Sequence, residues 1–337
     1  MFFWDLGTSK IRASTISHTG VIEESPLIAF HTDRYNSVLA YGNRVEGMEE
    51  LQSVSCHIER CIENGVVANE EALLQCVLAM NSTLGSSILD EVFGKKALVA
   101  VPVLLGPGHL AVLQRVFDRA GFSPHFVSQP FCILDSFGRN PNDVSAQCMI
   151  DIGKGKTEFS VVSKGQIVAI GRSSFTSTAF EKLLGLAIAA EFDLQVSVGE
   201  ITHFLQHVDG NTNLLRGKSR YGSGSGTARI DAQKLQELLF VQYTLFCQDI
   251  SNFLEQIPAA YTSLLQRNGI LLSGGGSLLT HLSDFICKEL HVPVSVVSRP
   301  QRALILSMPA FVEKRANATL LFRSHEMLPI LNAFCIE

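Results

Sequence analysis

The chain has 337 residues, 46% hydrophobic and 18% charged, with 27 Lys and Arg against 32 Asp and Glu, a net charge of −5 and a mean hydropathy of +0.22. That apolar content excludes disorder, the length suits two ordinary domains, and the near-neutral charge excludes a general nucleic-acid binder, which needs a basic footprint. The longest apolar runs, at 97–105, 183–190 and 303–312, fall short of the ~18–20 residues that cross a bilayer.

The amino terminus opens with a short apolar strand, Phe2-Phe3-Trp4, and lacks the basic and long apolar regions of a signal peptide, so a cytoplasmic location is expected. The turn Asp5-Leu6-Gly7-Thr8-Ser9-Lys10 leads into a β-patterned run, a second tight turn at His18-Thr19-Gly20 and a returning strand at Val21-Ile22. Residues 97–103 form a buried strand, and 109–120 a helix ending at Gly121. Phe126-Val127 is a short strand before Gln129-Pro130 and an apolar helix through Phe137. The cluster Asn140-Pro141-Asn142-Asp143 marks a border between halves.

The first pattern then returns. Asp5 through Ser17 is repeated by Asp151 through Ser163 at an offset of 146 residues, with a strand before each D-x-G turn and a second tight turn after it. Tyr221-Gly222-Ser223-Gly224-Ser225-Gly226 is expected to be a surface loop. No Gly-Lys-Ser/Thr follows it, so it is not a phosphate loop. Apolar spacing predicts one long helix over 231–257, capped by Asp231. A strand at 269–272 runs into Ser273-Gly274-Gly275-Gly276-Ser277, with an amphipathic helix predicted from Leu278 to Ile286.

Glycine lets the backbone approach a ligand and turn its amides outward, so each D-x-G turn can nest an anion. Thr8 and Ser9 add hydroxyls, Lys10 and Lys156 add positive charge, and Asp5 and Asp151 end strands where a carboxylate can hold a hydrated Mg²⁺. Two such turns facing across a cleft would clamp a polyphosphate. Each turn alone also occurs by chance, and the triple glycine reads as a seat for a flat ligand or phosphate on a helix start, with a tight βα connection as the alternative. The eight cysteines are scattered without C-x-x-C and are expected to be buried free thiols. His203 and His207 have metal-compatible spacing but no third ligand nearby, which favours a solvated face.

In order and separation, Asp5-Leu6-Gly7-Thr8, the turn from Asp151 to Thr157, and Ser273 to Gly276 resemble the two phosphate motifs and the adenosine motif of the actin-like ATPase superfamily. Ala40-Tyr41-Gly42, Ile62 to Ala68, Val101-Pro102, Val127 to Pro130 and Val292-Pro293-Val294 narrow the resemblance to its MreB family of bacterial rod-shape actins. The resemblance implies an α/β, actin-like ATPase fold of two duplicated domains around a nucleotide cleft. Domain I would take 1–140 plus 310–337, with a small subdomain at about 33–66; domain II would take 141–309, with one at about 181–244. It implies ATP with Mg²⁺, self-assembly into filaments, attachment to the inner membrane face and a role in cell shape with cell-wall synthesis proteins as partners. By position, Gly7, Thr8, Ser9, Lys10, Gly153, Lys154, Gly155, Lys156 and Thr157 would meet phosphates. Gly274, Gly275, Gly276 and Ser277 would lie under adenosine, with Asp5 and Asp151 organising metal through water. Gln129 would orient the attacking water and Asp151 would share in catalysis. The loop bearing Val92 and Phe93 either dips into lipid or tucks into its own domain.

This sequence departs from the family pattern at four places. The second turn reads G-K-G-K-T for G-G-G-T-T, Thr176 to Ala179 replaces G-G-D-E, Thr202 to Leu205 replaces E-E-I-K, and Ile305 to Pro309 replaces a Gly-rich segment. The resemblance therefore implies a weak ATPase at most. The alternatives are a non-hydrolysing adaptor or a small-molecule kinase, for which the one carboxylate base on offer, Asp135, falls on an apolar helix.

Overall fold

The computed structural model describes residues 1–16, 18–32, 37–48, 56–85, 90, 94–206, 212–219, 225–314 and 334–335. Val92 and Phe93 lie outside them, as do 221–224 of the Gly/Ser run and His207.

The first sheet is assembled around β1 (Phe2–Leu6), buried at every position because it has neighbours on both edges. β2 (Ile11–Thr15) and β3 (His18–Glu24) continue from it as antiparallel strands, while β4 (Lys95–Val101) and β5 (Phe122–Ser128) add in parallel, for the order β5-β4-β1-β2-β3. β5 is longer than the expected Phe126-Val127 and contains Pro124. A missing amide is tolerated there because β5 is an edge strand. Trp4 packs edge-on against Phe117 at 5.5 Å and Phe122 at 5.8 Å, so Phe2-Phe3-Trp4 is core. The helix Glu70–Leu84, capped by Asn69 on the amide of Ala72, and the helix Pro107–Arg119 bury their apolar faces in the same cluster.

The second sheet repeats this plan. β6 (Gln147–Ile152), β7 (Thr157–Ser163), β8 (Gln166–Ser173), β9 (Ile270–Ser273) and β10 (Val294–Val296) take the order β10-β9-β6-β7-β8, with Phe334–Cys335 beyond β8. The pairs β6–β9 and β9–β10 are parallel, as are their counterparts β1–β4 and β4–β5. The sequence repeat is thus a repeat of topology. In both copies a backbone hydrogen bond closes the turn at equivalent positions, Gly7 N–H to Lys10 O at 3.1 Å and Gly153 N–H to Lys156 O at 2.8 Å.

The chain divides into two compact units, one built from Met1–Ala146, Ser160–Ile170 and Val297–Cys335, the other chiefly from Gln147–Phe159 and Gly171–Val296. The first carries a small sheet of Leu27–His31, Val38–Tyr41 and Cys56–Arg60, and the second one of Leu194–Gln195, Thr212–Ser219 and Ser225–Asp231. In the second unit the helix Ala232–Glu255 matches the predicted long helix, and its Phe246 stacks on Phe175 at 4.2 Å.

Two expectations are corrected. Ser225 and Gly226 belong to a strand, with Gly226 opposite Gly217. Side chains there would strike the neighbouring strand, since a Cβ on Gly217 would lie 2.5 Å from Gln195 O. The helix after the triple glycine starts at Leu282, because Gly275–Leu278 form a 3-10 turn, Leu279 is extended and His281 is left-handed. Cys56, Cys61, Cys76, Cys132, Cys148 and Cys247 are buried free thiols as expected, whereas Cys287 is exposed. Among the described residues no helix is long and apolar enough to cross a membrane.

Candidate functional site

The second glycine turn is built by three segments. β6 delivers Asp151 in register with Ser273 of β9, and the Ser273 hydroxyl hydrogen-bonds the Asp151 carboxylate. The turn from Gly153 to Lys156 then projects beyond the strand. The helix Ser177–Phe192 begins directly on it, its first amides donating from Ser177 to Gly153 O and from Thr178 to Lys154 O, both at 3.1 Å. Thr176 caps that helix by accepting from the amide of Ala179. These amides, otherwise orphans at a helix start, are spent on the turn's own carbonyls. Thr157, expected at phosphate, instead donates its hydroxyl to Phe175 O.

The third glycine cluster packs on this turn. Gly274 has φ +80°, and a Cβ there would lie 2.4 Å from Ile152 O and 2.9 Å from Asp151 Oδ1. A Cβ on Gly276 would come 2.2 Å from Ile152 Cγ2. Ser277 is buried and donates to Gly274 O at 2.7 Å, while Gly275 is exposed. The close approach of two backbones explains the glycines at 274 and 276 and brings residues 151–157 and 273–277 into one site. Because the helix starts only at Leu282, no helix N-terminus lies directly behind the triple glycine.

The charges of this turn are internally matched. Lys156 Nζ lies 2.7 Å from Glu158 Oε2 and 3.9 Å from Asp151 Oδ2, with its side chain 19% exposed. Burial pushes the Asp151 carboxyl above its ordinary value, with Lys156 pulling it back, Glu158 adding to the rise and the Ser273 hydrogen bond opposing it. Lys154 is exposed. Glu158 was not singled out from the sequence; only its place two residues after Lys156, at the start of the strand that leaves the turn, could have signalled it. Glu181 was also missed. It is a buried carboxylate on the helix Ser177–Phe192, its Oε1 accepting from Thr202 at 2.9 Å and its Oε2 without a hydrogen-bond partner.

The first turn has the same backbone and a different side-chain arrangement. Asp5 is buried and meets Arg12 Nη1 at 3.3 Å; Arg12 Nε also holds Glu23 at 2.6 Å, and Arg302 adds to Glu23 at 3.2 Å. Lys10 does not stand free at the turn. Its ammonium donates to Ser25 Oγ at 2.8 Å, Asn43 Oδ1 at 2.6 Å and Glu46 Oε1 at 2.9 Å. Thr8 Oγ1 accepts from the amide of Gly65 at 3.1 Å, and Ser9 is exposed. Gln129 is the first residue of the helix Gln129–Ser136 and is buried; it follows β5 at the carboxyl ends of the parallel strands. Asp135 is held by Lys314 Nζ at 3.1 and 3.2 Å. No cluster of three or more His, Cys, Asp or Glu suited to a metal occurs among the described residues.

Burial works to raise Glu23, but Arg12 and then Arg302 outweigh it, so its carboxyl titrates below the ordinary 4.5. A lowered folded pKa contributes stability that is present above the unfolded value and lost as pH falls through the folded one. The urea midpoint should therefore drop as pH falls below 4.5, and Glu23→Gln should flatten that drop. An unchanged acid slope in Glu23→Gln would refute the assignment.

Comparison with known proteins places these features. The family model described as MreB/Mbl protein matches residues 2–319. The cell shape-determining protein Mbl of Bacillus subtilis (strain 168) is 21% identical over 318 residues, covering 89% of this chain and 93% of that protein. The cell shape-determining protein MreB of Escherichia coli (strain K12) is 23% identical over 318 residues, covering 88% of each. Among solved structures, MreB 5 of Spiroplasma citri bound to AMPPNP superposes with TM-score 0.82 at 19% identity, over 94% of this chain and 96% of that one. The MamK double helical filament superposes at 0.73 with 15% identity, over 93% and 98%. The duplicated sheets are thus those of the actin-like fold, and the chain belongs to the MreB/Mbl family.

Proposed function

We propose that this protein binds ATP on the surface formed by residues 151–157 and 273–277, polymerises, and acts in determining cell shape. The observation that carries the reading is the packing of Gly274 and Gly276 against Asp151-Ile152, which joins the triple-glycine segment to the second glycine turn. Relatives support it by name: MreB 5 of Spiroplasma citri was crystallised with AMPPNP and with ADP, MamK forms a double helical filament, and Mbl and MreB are cell shape-determining proteins.

In this reading the backbone of Gly153 to Thr157 and that of the duplicated turn Gly7 to Lys10 serve the phosphates, and Gly274 to Ser277 the nucleoside. The domains are those expected above, the Val92-Phe93 loop attaches the polymer to the inner membrane face, and cell-wall synthesis proteins are its partners. Gln129 orients water as an amide rather than as a base, which makes hydrolysis slow. A magnesium ion organised by Asp5 and Asp151 does not fit the groups around them. Arg12 already sits on Asp5, and Lys156 stands beside Asp151. One observation favours the non-hydrolysing alternative: the Thr157 hydroxyl is committed to Phe175 O.

Sedimentation with ATP and liposomes tests the reading. Pelleting that depends on ATP and increases with anionic lipid is expected at tens of micromolar protein. A protein that stays in the supernatant under every condition would remove the filament reading, and replacing Val92 and Phe93 by Ser should release only the lipid-dependent fraction.

A further inference from the structure

We propose that Lys156 is the resident cation of the second phosphate turn, so that this site takes a nucleoside triphosphate with little dependence on a divalent metal ion. The inference rests on the nucleotide reading above and goes beyond it by naming what neutralises the site's own acids.

Lys156 closes the turn through its carbonyl, which accepts from Gly153 N–H at 2.8 Å, and the same residue's ammonium lies 2.7 Å from Glu158 and 3.9 Å from Asp151. Backbone nest and side-chain cation therefore belong to one residue, fixed in place by a partly buried ion pair. A polyphosphate approaching Asp151 and Glu158 without compensation would meet two like charges, and a divalent ion is the usual remedy. Here Lys156 and the exposed Lys154 bring the four side chains to a formal sum of zero before any ligand arrives. Mg²⁺ also needs open carboxylate oxygens and a near-octahedral shell of waters, which an ammonium lodged on Glu158 and facing Asp151 obstructs. The first turn shows the same solution independently, with Arg12 on Asp5 at 3.3 Å.

The test is calorimetric titration of ATP into the full chain, in excess EDTA and in millimolar magnesium chloride. The wild type is expected to bind ATP with dissociation constants that agree within about threefold between the two buffers. Lys156→Thr should weaken binding at least roughly tenfold in EDTA and recover with magnesium, whereas Lys156→Arg should keep the wild-type tolerance. A merely structural lysine would change the melting temperature without changing the ratio between buffers. Wild-type binding lost in EDTA, or a Lys156→Thr protein as tolerant as the wild type, overturns the proposal while leaving the nucleotide reading intact. No ATP binding in either buffer overturns the nucleotide reading itself and this inference with it. Should Lys156→Thr fail to fold, the wild-type ratio and Lys156→Arg still decide the matter.

Discussion

Arg12→Met is expected to cost about 3 kcal/mol of folding stability, because removing one member of a buried ion-pair network strands the charges it served. Arg12 is 12% exposed, Asp5 9% and Glu23 23%. The value sits at the lower end for buried pairs because Glu23 is partly wetted and retains Arg302 at 3.2 Å. Methionine keeps most of the side-chain volume, so the loss reports charge rather than a cavity. Urea denaturation at neutral pH measures it, and Asp5→Asn added to Arg12→Met should recover part of the loss, since neighbours in one network are not additive. A loss below about 0.5 kcal/mol would mean that solvent screens the network as it does a surface pair.

Gly274→Ala is the second large effect, with a loss of about 2–3 kcal/mol expected from backbone strain and overlap together. The residue has φ +80°, and the added Cβ would press on Ile152 O at 2.4 Å. The obstacle is backbone in a sheet and cannot rotate aside. The variant should also lose nucleotide affinity, because relieving the overlap moves the 273–277 segment off the 151–157 turn. Gly108→Ala makes the contrasting control. Its Cβ would meet nothing within 4 Å at the start of the helix Pro107–Arg119, so stability should hold or rise slightly. Equal losses at both positions would show that the close approach at Gly274 carries no special weight.

The sequence makes the fold legible because its signals are local and periodic. The Asp5 and Asp151 turns recur at one offset with glycine at the same place, and each Gly N–H bonds the carbonyl three residues on. Composition decides such turns, since only glycine fits where a Cβ would lie 2.8 or 2.9 Å from that carbonyl. The same local reasoning misplaced the helix after the triple glycine. Its apolar spacing runs on from Leu278, but Leu279 is extended and His281 left-handed, so the helix begins only at Leu282.

The destination of the charged side chains was not legible. Lys10 beside a phosphate turn suggests an anion ligand, yet it is drawn to Asn43 and Glu46, 33 and 36 residues away. Asp5 and Asp151 suggest metal carboxylates, yet each stands beside a side-chain cation, Arg12 or Lys156. Long flexible side chains choose partners by the distances left after the backbone has packed.

At the outset, apolar content and length pointed to a folded chain of two domains, and the repeat within it identified the turns. Those conclusions depend on periodicity and on glycine's conformational range, which the sequence by itself carries. Which turn keeps its acids neutralised, and by which cation, depends on ångström-scale placement of Lys156, Glu158, Arg12 and Glu23, and only the tertiary structure decides that.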